Sequence, residues 1–146
     1  MALNIYLVFN GNCQEVLDYY TEVFKAEKPN IMRYSDMPKY PGFELTDEMQ
    51  ASKDLVMHAY MMIHGGEVMF SDALPGEPVS AGNNMSITIV SNQLERMKAE
   101  FAKLSDTGEV MMKMQETFWS PAYGMVKDRF GVQWQFSYDE GDMGTE

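Results

Sequence analysis

The sequence predicts an α+β protein built from two tandem βαβββ modules, and three observations carry that prediction. An apolar run at residues 2–9 is followed by an amphipathic helical pattern, and the same order restarts at Met85. Two helix-start pairs of the capping-box type, Asn12 with Glu15 and Asn92 with Glu95, stand just ahead of those helical patterns. A stretch from Asp72 to Asn83 that contains Pro75-Gly76, Pro78 and Gly82 separates the halves. The halves share a pattern and few letters, so this is a repeat of architecture.

In order, residues 2–9 read as a buried strand and Asn10-Gly11 as a turn. Val16, Leu17, Tyr20, Val23 and Phe24 recur at helical spacing and give a helix with one apolar face. Ile31 to Tyr34 forms a short strand, and a loop with Pro38, Pro41 and Gly42 runs on through Asp47. Leu55 to Ile63 and Glu67 to Ser71 read as strands around a His64-Gly65-Gly66 turn. In the second half Met85 to Val90 is a strand, and Leu94, Met97, Phe101 and Leu104 line one helix face that ends at Thr107-Gly108. Strands follow at Glu109–Met114, about Ser120–Lys127 and Val132–Tyr138, the last after an Asp128-Arg129-Phe130-Gly131 turn in which Gly131 takes an unusual backbone conformation.

Each half has too little core to stand alone, so the expectation is a single domain over residues 1–138. It comprises module one at about 1–74, a linker at about 75–83 and module two at about 84–138, with an acidic flexible tail at 139–146.

Composition excludes several function classes. A net charge of -11 is wrong for a nucleic-acid phosphate backbone or an anionic membrane surface. No apolar run is long enough to span a bilayer, and the first residues lack the character of a signal peptide. The single cysteine, Cys13, excludes an internal disulfide and suits a reducing cytoplasm, the expected location. The fifteen methionines serve either as adaptable core filler or as the lining of a pliable cavity. The acidic stretches at Glu44–Glu48 and in the tail read as solvated surface.

Particular words complete the picture: Leu7-Val8-Phe9-Asn10-Gly11-Asn12, Tyr19-Tyr20, Val23-Phe24, His58-Ala59-Tyr60-Met61, Ser71-Asp72-Ala73, Thr117-Phe118-Trp119-Ser120, and Tyr123 through Trp134. As a set spanning roughly residues 4 to 138, they resemble the PhnB-like branch of the glyoxalase/bleomycin-resistance (vicinal oxygen chelate) superfamily. The resemblance implies that the two modules form a curved eight-stranded mixed sheet around a cup, with helices on the outside, and that the protein is a homodimer. Proteins of this kind often carry a demethylubiquinone-methyltransferase label, but the sequence has no glycine-rich nucleotide loop to support S-adenosylmethionine binding.

Metal-dependent relatives place His, Gln or Glu at four strand positions. Matched to this chain, those positions fall on Asn4, on the Phe70–Asp72 segment, on Asn84 and on Gln135. Amides hold divalent transition metals poorly, so the expectation is no metal and no cofactor, with His58, Asp72 and Gln135 as the weak metal candidates.

Strand alternation supplies an independent argument. The face of each strand that carries a matched position is the more polar one: Asn4, Tyr6 and Val8 on the first strand, Gln133, Gln135 and Ser137 on the last. This suits a polar-lined concavity, and equally an ordinary half-solvated sheet. The ligand-binding candidates are Asn4, Tyr6, His58, Tyr60, Asn84, Trp119, Tyr123 and Gln135. His58 shares phase with Tyr60 and Met62 and is either a ligand anchor or proton-transfer group, or a hydrogen-bonded strand histidine. Trp119 and Tyr123 either stack on a flat ligand or pack down a loop. His64 reads as a turn residue, Arg129 as a turn residue or an anion anchor, and Cys13 as a semi-buried thiol or one activated by the helix start.

No nucleophile–base set is legible, so no catalytic residue is assigned. The expected function is a metal-independent small-molecule binding protein. Its competitors are a divalent-metal-dependent lyase, isomerase or oxygenase, and an interaction protein with a vestigial cup.

Overall fold

In a computed structural model, residues 2–37 and 45–141 are described; the expected loop around Pro38, Pro41 and Gly42 and the end of the acidic tail lie outside them. The chain divides into two compact units, Met1–Ser80 and Ala81–Glu146, and the division falls inside the expected linker.

The first unit contains β1 (Ile5–Phe9), α1 (Cys13–Phe24), β2 (Asn30–Arg33), a single 3₁₀ turn (Tyr34–Asp36), a short α2 (Asp47–Ala51), β3 (Val56–Ile63) and β4 (Gly66–Asp72). The second contains β5 (Ile87–Ser91), α3 (Leu94–Thr107), β6 (Glu109–Gln115), β7 (Tyr123–Lys127) and β8 (Gln133–Tyr138). The strands form two four-stranded sheets of matching order, β1-β4-β3-β2 and β5-β8-β7-β6. In each, the first strand pairs parallel with the last, and the other described pairings are antiparallel. The βαβββ repeat and the α+β class are therefore as the sequence predicts. No helix among the described residues is long and apolar enough to cross a membrane.

Each long helix covers one face of its own sheet, and period-two alternation decides which side chains lie beneath it. In the first unit Val16, Leu17, Tyr20 and Phe24 of α1 are buried together with Phe9 and Phe70. Tyr20 and Phe70 meet with ring centroids 6.1 Å apart, and Phe9 stacks on Phe70 at 6.4 Å. In the second, Met97 and Leu104 of α3 are buried with Ile89, Val126, Trp134 and Phe136. Phe101 meets Phe136 edge to face at 5.8 Å.

The helix starts differ from expectation. Neither Asn12 nor Asn92 caps: Asn12 sits at φ -110°, ψ 17° with no side-chain cap bond, and α3 starts after Gln93, also uncapped by its own side chain. The capping oxygen comes from the sheet in the first unit, where Asp72 Oδ1 accepts the Cys13 N–H at 2.9 Å. A charged acceptor at the positive end of the helix outcompetes a local amide. At the second helix, Ser91 Oγ accepts the Gln93 N–H at 3.0 Å.

Three strands begin two or three residues later than predicted: β1 at Ile5, β5 at Ile87 and β7 at Tyr123. β5 starts at Ile87, whose parallel partner is Trp134; upstream of Trp134 the neighbouring chain is turning, so Met85 finds no ladder partner and is exposed. β7 starts at Tyr123 because Ser120 is committed elsewhere: its hydroxyl lies within hydrogen-bonding reach of the carbonyls of Ala122 (2.9 Å) and Tyr138 (2.7 Å). The short α2 was not expected; Thr46 caps it by accepting the Met49 N–H at 3.1 Å.

Two glycines behave as predicted. Gly131 adopts φ +90°, closing the turn through its N–H to the Asp128 carbonyl at 3.0 Å. Gly108 ends α3 where a Cβ would lie only 2.4 Å from the Lys127 carbonyl oxygen, so a side chain there would displace β7.

Candidate functional site

In each unit the sheet face opposite the helix carries several of the predicted site residues: Tyr6, His58 and Tyr60 in the first, Tyr123 and Gln135 in the second. In the first unit the registers Tyr6↔Met69 and Tyr60↔Met69 place two tyrosines on either side of one methionine across three strands. Met32↔His58 extends the same face to β2, and Met62↔Glu67 continues it toward the hairpin. Tyr6 and His58 meet through Oη and Nδ1 at 3.5 Å, with rings tilted at 39° and 5.8 Å apart. Asn4 Nδ2 donates to Glu67 Oε2 at 3.3 Å. Tyr6, Tyr60 and Met62 stay open to solvent at 45%, 39% and 51% exposure.

In the second unit Tyr123 and Gln135 lie on the helix-free face of neighbouring strands. The Tyr123 hydroxyl donates to Gln135 Oε1, and Gln135 Nε2 donates to Ser86 Oγ at 2.8 Å. These bonds fix the orientation of the amide. Trp119 packs edge to face on Tyr123 at 5.2 Å, and Phe118 on Trp119 at 4.7 Å. Asn84 is exposed in the bend before β5, outside the ladder.

Asp72 sits elsewhere. Its position on β4 is in phase with Val68 and Phe70 on the helix side, and it is buried. Besides the Cys13 N–H it accepts the Val56 N–H through Oδ2 at 3.0 Å, so both carboxylate oxygens serve the backbone. Its weak candidacy as a metal ligand gives way to a structural role. Among the described residues, no three His, Cys, Asp or Glu side chains gather where they could hold a metal ion. The amides of Asn4, Asn84 and Gln135 at the matched positions, with both Asp72 oxygens bonded to the backbone, do not fit a divalent transition metal.

Cys13 is fully buried, and burial, followed by the neighbouring Asp72 carboxylate, pushes its thiol up to about 12. The activated-thiol alternative falls away. Iodoacetamide at about pH 8 is expected to leave the native protein unlabelled over an hour while labelling the denatured chain within minutes, as read by intact mass. Because the folded value lies above the ordinary 9.0, the stability linked to this thiol is fully present below pH 9 and is lost as pH rises toward 12.

His64 occupies the β3–β4 turn at φ +48° with its ring edge-on to Phe24 at 6.4 Å, consistent with the turn reading. Arg129 places its guanidinium 4.6 Å from the centre of the Phe130 ring.

Sequence reasoning missed Met69, Glu67 and Ser86. Met69 and Glu67 share strand phase with the uncertain second matched position, so an exact β4 register would have found them. Ser86 follows from Gln135 only once the β5–β8 pairing is known.

Comparison with known proteins agrees with this geometry. The family model described as 3-demethylubiquinone-9 3-methyltransferase matches residues 2–137. Protein YjdN of Escherichia coli (strain K12) is 34% identical over 140 residues, covering 94% of this chain and 95% of its own. The crystal structure of PA1353 from Pseudomonas aeruginosa superposes with a TM-score of 0.76 at 29% identity, over 94% of this chain and 98% of that one. A Bacillus cereus structure described as a putative 3-demethylubiquinone-9 3-methyltransferase, PhnB protein, gives 0.71 at 22% identity, over 95% of this chain and 100% of its own. The fold extends to a glyoxylase/bleomycin resistance protein/dioxygenase domain from Frankia sp. EAN1pec, with a TM-score of 0.62 at 10% identity over 94% and 96% of the two chains. The chain belongs to the 3-demethylubiquinone-9 3-methyltransferase family.

Proposed function

We propose that the protein is a metal-independent small-molecule binding protein of the glyoxalase/bleomycin-resistance type. The observation that carries this reading is the character of the helix-free sheet faces. Each offers polar groups already oriented by hydrogen bonds, Tyr6 with His58 and Tyr123 with Gln135 and Ser86. The first sets them among solvent-open aromatic and thioether surface. A surface that only capped a sheet would carry charged side chains, whereas ligand sites combine apolar walls with a few fixed polar groups.

No residue of these faces forms a nucleophile–base–orienter chain, so the arrangement supports binding and orientation. The test is native mass spectrometry with elemental analysis of freshly purified protein, followed by calorimetry with any retained or screened ligand. The expected result is an organic ligand bound without stoichiometric metal. His58→Ala should then weaken a ligand held on the first face, or Gln135→Ala one held on the second, about tenfold, the worth of one hydrogen bond to a fixed partner. One equivalent of transition metal required for binding would defeat the proposal.

A further inference from the structure

The two helix-free faces differ in a way that bears on ligand chemistry. On the second sheet the face mixes amides and hydroxyls with Lys127. On the first, none of the strand residues of the face is Lys or Arg. Its centre is the half-buried thioether of Met69, with Tyr6 and Tyr60 one strand away on either side. Strand spacing puts the two tyrosine backbones about 10 Å apart, the span of a fused two- or three-ring system. The one carboxylate of the face, Glu67, sits one alternate position along β4 from Met69 and is steadied by Asn4.

We infer that this face is a recognition platform for a flat aromatic cation, a reading that rests on the proposed binding function and gives it a ligand class. Three physical terms point the same way. Phenol rings present negative π-faces that attract cations, and thioethers pack favourably on aromatic rings. Glu67 adds a full negative charge beside the rings, where no strand cation offsets it. The net charge of -11 raises the local concentration of cations and lowers that of anions. On the described strand residues of this face an anionic ligand would meet none of the guanidinium or ammonium groups that recognise carboxylates and phosphates. A bare metal ion would find one imidazole and one carboxylate there, and among the described residues no third such donor gathers with them. The polar Tyr6–His58 pair lies at the rim, where it meets a ring heteroatom or exocyclic amine at the edge of the stacked ligand.

The test uses three probes of one shape on the full chain: N-methylacridinium, neutral acridine and acridine-9-carboxylate, compared by calorimetry and by quenching of the acridine emission in mildly alkaline buffer. The expected order is cation, neutral, anion, with the cation binding about tenfold more tightly than acridine. Glu67→Gln should shrink that gap to about twofold and leave acridine unchanged, while Tyr60→Leu weakens both. Both positions border solvent, and circular dichroism of the variants checks that the fold is kept. Equal affinities, or tightest binding by the carboxylate, overturn the cation assignment while leaving the binding function standing. If none of the probes binds but a retained organic ligand still does, recognition lies on another surface and this inference falls alone. If neither probes nor any screened ligand bind, both readings fall together.

Discussion

Asp128→Ala is expected to destabilise the second unit by about 4 kcal/mol, which for a chain of this size lowers the melting temperature by roughly 10 °C. The carboxylate is 4% exposed and accepts three N–H groups. Oδ1 takes the backbone of Phe130 at 2.9 Å and of Val132 at 3.0 Å, and Oδ2 takes the Trp134 indole at 2.9 Å. Alanine leaves the indole and two turn amides without this acceptor in a buried setting, and each charge-assisted bond contributes about 1.5–3 kcal/mol before relaxation. Asp128→Asn keeps one carbonyl oxygen for the turn and turns an amide N–H₂ toward the indole donor, so its loss should be about half as large. Denaturant unfolding followed by tryptophan fluorescence reads all three proteins. A change of less than about 1 kcal/mol for the alanine variant would mean that water replaces the carboxylate there.

Asp72→Ala is the corresponding test of the first unit, with an expected loss of about 3 kcal/mol. Here one buried carboxylate joins three elements, because it sits on β4 and accepts from the first residue of α1 and the first residue of β3. Removing it strands the Cys13 and Val56 N–H groups and takes away the negative charge that stabilises the helix start. Native-state hydrogen exchange should show protection falling at Cys13 and Val56 well before the centre of α1 is affected. The same variant separates the structural role from the weaker idea of a metal ligand: stability should change while any ligand affinity of the open face stays within about twofold.

Much of this architecture was legible in the chain because it depends on local terms. The helical spacing of Val16, Leu17, Tyr20, Val23 and Phe24 and the alternation of Ile5, Leu7 and Phe9 predicted which side of each element is buried, since both follow from backbone periodicity alone. Gly131 was predicted from its turn, and φ +90° is a property of that residue and its neighbours. The helix caps were not legible. Asn12 and Asn92 are good local candidates, but at α1 Asp72, brought in by strand pairing, takes the role, and at α3 the hydroxyl of Ser91, two residues before Gln93, accepts its N–H. The start of β5 was misjudged for a similar reason: Met85 has strand character but no partner beside it.

The candidate site divides along the same line. Sequence by itself determined the βαβββ repeat, the family, the identity of the polar faces, and the amide-rich donor set that suits a metal poorly. Those conclusions need only residue types, spacing and the phase of each strand. Tertiary structure decided that Asp72 points beneath a helix, that Met69 and Glu67 stand beside the tyrosines, and that Ser86 steadies Gln135. Each depends on a strand register, and a shift of one residue moves every side chain of a strand to the opposite face. Register is fixed by the sum of many pairings across the sheet, which no short window of the chain contains.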